Sequence, residues 1–344
     1  MSKNKPALRG VNLGGWLVLE KWITPSVFDG TNAQDEYSLH IIQTPEKVIS
    51  HYDNFITKSD FQFLSEHNIN ALRIPIGYGI FGDFPPYPKT VQYLDFAFVQ
   101  ADKYNFQVII DLHTAPGSQN GYDHSGVLGE VNWDKNPSHI SQTLNTIDKL
   151  AGRYCKNKNL FGISLLNEPH INIAIDFLEN FYTQGYNTVR KHCTEDVAVI
   201  ISDSFRPLEI SKLLQGPNFK NVIIDTHFYQ CFNEDNKKLT MNQIIKDTKS
   251  AWPKIINKVQ KIRYNYLTSS KNNPIICGEW SLGINSMSLS EMSPEAIKLT
   301  IKEFGSTQMN IFDSTAGWFF WTYKTESIGG WNFKSSVEDG ILTP

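Results

Sequence analysis

Eight short apolar runs, separated by stretches of helical periodicity, restrict the fold of this chain more than any other feature. The runs cover residues 8–13, 71–76, 107–112, 161–166, 197–201, 222–225, 274–277 and 317–321. Most are rich in Val, Ile or Phe without polar alternation, the pattern of strands buried on both faces. Between them, Leu94, Ala97, Phe98 and Ala101 follow an i, i+3, i+4, i+7 stripe, as do Ile147, Leu150, Ala151 and Tyr154. Leu178, Phe181, Tyr182 and Val189 continue the same kind of pattern. Strands alternating with helices pair in parallel through right-handed crossovers. Eight such units predict an α/β fold, a single (β/α)8 TIM barrel over residues 1–344, with an open doubly wound sheet as the alternative. A length of 344 residues on its own suggests two or three domains, but barrels of this type exceed 250 residues as one.

Polar residues cluster where the apolar runs end. Arg73, Asp111, His113, Asn167, Glu168, His227, Tyr229, Glu279 and Trp321 all fall at or near the C-terminal ends of different runs. In a β/α barrel those ends converge on one face, the face that carries active sites. Side chains spread over most of the sequence are thereby predicted to line one cleft.

Other function classes find little support. Net charge is −3 with no block of like charge, which argues against nucleic acid or an anionic membrane as partner. No apolar stretch approaches the ~20 residues of a membrane helix. The basic N-terminus has no apolar region behind it and does not read as a signal peptide. A cytoplasmic protein is expected on the chain as given, and an extracellular one if a leader has been removed. The absence of any Asn-x-Ser/Thr sequon, Asn136 being followed by Pro137, points the same way. Cys155, Cys193, Cys231 and Cys277 lie far apart with no CxxC pair, and read as free buried thiols with neither a disulfide framework nor a zinc site. Gly77-Tyr78-Gly79-Ile80-Phe81-Gly82 matches G-x-G-x-x-G but runs into Asp83-Phe84-Pro85-Pro86 rather than a helix, so it reads as a loop. No G-x-S-x-G, H-E-x-x-H or P-loop is present. No metal or cofactor is expected, and a monomer is.

Glu168 and Glu279 are the pair that suggests a reaction. Singly, each reads equally well as a helix cap or an ion-pair partner. On one barrel rim, two carboxyl groups suit glycoside hydrolysis, where roughly 5–5.5 Å permits direct attack with retention and ~6.5–9.5 Å leaves room for a water and gives inversion. In this reading Glu279 attacks the anomeric carbon, while Glu168 first protonates the leaving oxygen and then activates water. An ionised Glu279 is expected to raise the pKa of Glu168. Arg73 holds Glu279 ionised, Tyr229 hydrogen-bonds it, Asn167 meets the sugar 2-hydroxyl, and His113 and His227 orient hydroxyls or Glu168. Trp321 makes a stacking floor. Packing or buried-polar roles are the bland reading of each.

The sequence also resembles a known family. Arg-Gly-Val-Asn-Leu-Gly-Gly-Trp-Leu-Val-Leu-Glu-Lys-Trp-Ile-Thr-Pro-Ser at 9–26 is similar to the opening of exo-β-1,3-glucanases of glycoside hydrolase family 5. The likeness continues through Asp111-Leu112-His113, Pro116-Gly117-Ser118-Gln119-Asn120-Gly121, Asn167-Glu168-Pro169, His227-Phe228-Tyr229-Gln230, Gly278-Glu279-Trp280-Ser281 and Trp321-Thr322-Tyr323-Lys324-Thr325-Glu326. It implies a retaining barrel glycosidase with Glu168 as acid/base and Glu279 as nucleophile, and with Arg73, His113, Asn167, His227, Tyr229 and Trp321 around them. It further implies that Glu20 binds hydroxyls of a terminal glucose, and that Tyr122 and Phe232 clamp the entrance with Asp123 beside them. Two positions depart from the family pattern: Tyr122 stands where Phe is usual, and His124 where a smaller amide is typical. The implied substrate is a β-linked glucan, most directly β-1,3-glucan. A β-glucosidase acting on glycolipid or small glucosides is the near alternative, and a barrel that only binds glycan is the alternative of another class.

Overall fold

The computed structural model describes residues 7–232, 234–264, 273–327 and 329–344. Eight parallel strands follow one another around a closed barrel: β1 (Leu8–Asn12), β2 (Ala71–Ile76), β3 (Gln107–Leu112), β4 (Leu160–Ser164), β5 (Ala198–Ser202), β6 (Val222–Phe228), β7 (Ile275–Trp280) and β8 (Gly317–Phe320). Pairing of β8 with β1, from Leu8↔Gly317 to Val11↔Phe320, closes the ring and rules out the open sheet. The apolar stripes lie on helices Val91–Tyr104, Pro137–Tyr154 and Ile175–Arg190, each burying that stripe against the strands. Local chemistry sets their starts: the Asn136 side chain accepts from Ser138 N at 3.0 Å, and Pro137 occupies the first turn, where its missing N–H costs nothing.

Both β6 and β7 continue three residues past the apolar runs that mark them, to Phe228 and Trp280. Backbone pairing persists there although the composition turns polar, because the polar side chains face the inside of the barrel rather than solvent.

Inside the barrel, strand alternation builds layers. Leu8, Ala71, Ile109, Ile223, Ile276 and Phe319 belong to one buried apolar cluster. Two residues further along, the same inward face carries Arg73, Asp111, Asp225 and Trp321, and two further again His113 and His227. An apolar plug thus fills the lower barrel and hands over to a charged layer at the C-terminal mouth. Strand β7 departs from this alternation. Its register with β6 passes from Thr226↔Cys277 to His227↔Glu279, so β7 carries one extra residue, Gly278. The bulge turns Glu279 inward, where strict alternation would have sent it outward with Cys277. Only glycine fits, because a Cβ on Gly278 would lie 2.0 Å from Asp225 Oδ1.

One expectation is corrected. Cys155 and Cys193 are disulfide-bonded, with Cα atoms 5.0 Å apart, while Cys231 and Cys277 are free. Each bonded cysteine directly follows, or lies three residues beyond, the end of one of two neighbouring helices, Pro137–Tyr154 and Ile175–Arg190. Packing of those helices, which spacing along the chain does not reveal, brings the two sulfurs together.

Candidate active site

Arg73 is the hub of the charged layer and is fully buried. Its Nη1 donates to Asn12 Oδ1 at 2.8 Å and to Glu279 Oε1 at 3.0 Å. Its Nη2 donates to Asn167 Oδ1 at 2.8 Å and lies 3.0 Å from Asp111 and 3.5 Å from Asp225. A guanidinium is the cation suited to this place, since its planar fork meets several acceptors at once and holds its charge when buried. The attraction of Asp111, Asp225 and Glu279 outweighs the burial that would otherwise lower its pKa, and raises it.

Glu279 also accepts from Tyr229 Oη at 2.8 Å. Its neighbour across the hollow, Glu168, lies four residues beyond β4 with φ of +44°, a left-handed conformation rare for this residue type. Polar side chains of the 116–126 loop hold that backbone in place. Gln119 Nε2 donates to the carbonyls of His113 (2.7 Å) and Asn167 (2.9 Å), and Asn120 Nδ2 to that of Glu168 (3.1 Å). A carboxylate oxygen of Glu168 and one of Glu279 lie within 4.8 Å of each other, with His227 Nδ1 alongside at 2.6 Å from Glu168 Oε1 and 3.5 Å from Glu279 Oε2. An oxygen pair this close fits the carboxyl spacing of direct attack better than the ~6.5–9.5 Å spacing of inversion.

The remaining predicted residues take their places around this pair. His113 bonds Asp111 Oδ2 through Nδ1 at 2.7 Å and stacks on Trp321, ring centroids 5.3 Å apart and planes 8° from parallel. Glu20 is buried and accepts from Trp22 Nε1 at 2.8 Å; its other oxygen has no partner among the described residues. Tyr122 and Phe232 are 52% and 73% exposed, as expected of residues at an entrance, and Phe232 packs on Tyr229 and Trp331. Asp123, half-buried, accepts from His124 N at 3.0 Å. Asn12, Gln119, Asn120 and Asp225 were not singled out by the sequence reading. Asn12, Gln119 and Asn120 lie inside the family-like segments without a role assigned to them, and Asp225 bears no motif of its own; the inward period-2 positions on β1 and β6 are the signal that finds Asn12 and Asp225.

The protonation pattern differs from the one expected of a simple carboxylate pair. Burial pushes Glu168 up, yet the hydrogen bond and charge of His227, backed by His124 and His113, outweigh it and hold the carboxyl at about 2. Burial and the charge of Glu168 push Glu279 up, against His227 and Arg73. Burial pushes His227 down, but the carboxylates of Glu279 and of Asp225, 3.5 Å from Nε2, and its bond to Glu168 raise it well above its ordinary value. These directions favour a protonated His227 paired with an ionised Glu168, and the cause is the histidines gathered on the Glu168 side. Donor atoms of Glu168, His227 and Glu279 are also close enough to take a cation. The Arg73 guanidinium, 3.0 Å from Glu279 Oε1, already supplies positive charge there and opposes a second cation.

Comparison with known proteins decides the family. Residues 30–327 match the family described as Cellulase (glycosyl hydrolase family 5). This chain belongs to glycosyl hydrolase family 5. Among its relatives in that family are a probable glucan 1,3-beta-glucosidase A of Aspergillus niger and glucan 1,3-beta-glucosidase 1 of Schizosaccharomyces pombe, each 32% identical over 97% of this chain and 87% of the relative. Solved structures share the fold at lower identity. A rutinosidase from Aspergillus niger superposes with a TM-score of 0.78 at 21% identity, covering 99% of both chains. Thermotoga maritima Cel5A with cellobiose gives 0.61 at 16% identity, covering 98% of both. Glycosyl hydrolase family 5 membership makes the chain a glycoside hydrolase on a (β/α)8 barrel, the class that the two rim carboxylates suggest.

Proposed function

We propose that this enzyme releases terminal glucose from β-1,3-glucan with retention of configuration, through a glycosyl-enzyme on Glu279. The observation that carries the reading is the carboxylate pair within 4.8 Å at the mouth of the barrel. The names of its relatives support the linkage, and their likeness extends over 97% of the chain.

Glu279 is the nucleophile. Arg73 and Tyr229 occupy both of its oxygens and aim the carboxylate. Glu168 is the acid/base, and its proton comes from His227 along their 2.6 Å hydrogen bond as the leaving oxygen approaches. Transfer turns a charged imidazolium–carboxylate pair into a neutral imidazole and a carboxylic acid, while Arg73 continues to hold Glu279 ionised. After the sugar is transferred, Glu168 takes a proton from water, which attacks the glycosyl-enzyme from the side that the leaving group vacated. The oxygen of buried Glu20 that has no partner among the described residues is suited to take sugar hydroxyls, and Glu20 and the 116–126 loop are the residues we assign to closing one end of the hollow for exo action.

The test is product analysis on a panel of β-linked glucose disaccharides and laminari-oligosaccharides beside a glucosylated lipid. Glucose released from the β-1,3 substrates, as the β-anomer by proton NMR, is the expected result. An initial α-anomer would remove the double displacement. Turnover confined to the lipid would replace the substrate.

A further inference from the structure

Taking Glu168 as the acid/base, as above, we infer that His124 is a second positioning residue of that carboxyl, donating from Nε2 to the oxygen that His227 leaves free. His227 approaches Glu168 Oε1, whereas His124 Nε2 lies 3.5 Å from Glu168 Oε2. The two imidazoles thus divide the carboxylate between them. At 3.5 Å the contact is half an ångström longer than a good N–H···O bond, a gap of the size that substrate binding commonly closes in an active site.

The ring is set for this task from several sides. Tyr122 stacks against it with centroids 5.6 Å apart and planes 22° from parallel, and His113 leans on it at 5.7 Å. Its backbone N–H is fixed on Asp123 Oδ1. The titratable groups facing it are Glu168 after β4, His113 after β3, Asp123 and Tyr122 on its own loop, and Glu279 of β7 at longer range. Nδ1 is buried with no partner among the described residues. An imidazolium would bury an unpaired N–H there, so the neutral ring with its proton on Nε2 is the form that fits, and that proton points at Glu168. Burial lowers the pKa of His124 and agrees with a neutral ring.

Glu168 stays a carboxylate when the pair loses its proton from His227, and a neutral donor of this kind spreads the negative charge that holds the proton there. The donor therefore lowers the pH at which the Glu168–His227 pair gives up its shared proton, which is the alkaline limb of kcat/KM. His124→Phe keeps the flat ring on Tyr122 and removes the donor, so the limb should move up by roughly 0.5–1 pH unit. His124→Gln places an amide N–H near the position of Nε2 and should return the limb to within about 0.2 unit of the parent. The profile is measured with an aryl β-glucoside. An unmoved limb in the Phe variant, or the same shift in both variants, overturns the inference. A second measurement needs neither substitution nor turnover. Nitrogen-15 NMR of the histidines in the parent protein should show His124 neutral and protonated on Nε2 between pH 5.5 and 8, and a ring protonated on Nδ1 overturns it. Absence of glycosidase activity in the parent would instead count against the proposed function.

Discussion

The two walls of the active-site hollow hold the same functional group by different means. Glu279 stands within a strand, turned inward by the Gly278 bulge and gripped by Arg73 and Tyr229. Glu168 stands beyond the end of β4 in a left-handed conformation, pinned by Gln119 and Asn120 from another loop and faced by His227 and His124. The first wall offers a permanent cation and a hydroxyl, which aim a charge and leave it in place. The second offers imidazoles, which exchange protons near neutrality. The difference between the nucleophile and the acid/base proposed above therefore lies in their neighbours, and in whether the backbone beneath is sheet or loop.

Exchanging charge on each wall tests that contrast. The largest effect is expected at Glu279. Glu279→Gln should lower kcat on an aryl β-glucoside by at least about 10⁴-fold, whatever the leaving group, because the covalent step is lost; near-parent turnover would end the assignment. Glu168→Ala should instead separate substrates. Poor leaving groups, which need the acid, should lose roughly 10²–10⁴-fold, and activated ones much less in the glycosylation step, with added azide restoring turnover by replacing the base-activated water. Equal losses for both leaving groups would show that this wall does not supply the proton.

Arg73→Met addresses stability on the first wall. It strands the buried carboxylates of Asp111, Asp225 and Glu279, and should cost roughly 3–5 kcal/mol in denaturant unfolding. A loss under about 1 kcal/mol would show that the layer does not depend on its hub. The smallest effect concerns Asp203, behind His227. Burial raises its carboxyl to about 7, opposed by His227 and by Phe205 N. A carboxyl with a raised folded pKa binds its proton more tightly folded than unfolded, so its contribution is complete below its ordinary value of 3.8 and declines as the pH climbs to about 7. Asp203→Asn should accordingly raise Tm by a few degrees at pH 8 relative to the parent, and by less at pH 4.5; the reverse ordering would refute the raised pKa.

The reading from sequence succeeded where side-chain chemistry repeats along the chain. Strands β2 and β3 begin and end where their apolar runs do, and the stripe containing Leu94, Ala97, Phe98 and Ala101 lies on the helix predicted for it. Arg73, Tyr229 and His227 were legible as partners of the carboxylates because each falls near a strand end, and parallel strands in a barrel bring such ends together. Other features left weaker marks. Asn12 and Asp225 sit inside strands, where a polar residue has meaning only once the barrel interior is known. Gln119 and Asn120 act on backbone atoms of a segment 48 residues away, a contact that nothing in their own neighbourhood encodes. His124 was visible as a departure from its family, but its closeness to Glu168 was not.

The sequence by itself determined the number and order of the strands, the side of the barrel that carries the chemistry, and the two carboxylates, since these follow from hydrophobic periodicity and from where polar residues interrupt it. Only the tertiary structure decided the inward turn of Glu279 through the Gly278 bulge, the meeting of Cys155 with Cys193, and the lowering of Glu168 by surrounding histidines. Each of these depends on distances between segments remote in the chain. Coulomb attraction, desolvation and the covalent reach of two sulfurs respond to separation in space, and periodicity along a sequence carries no record of it.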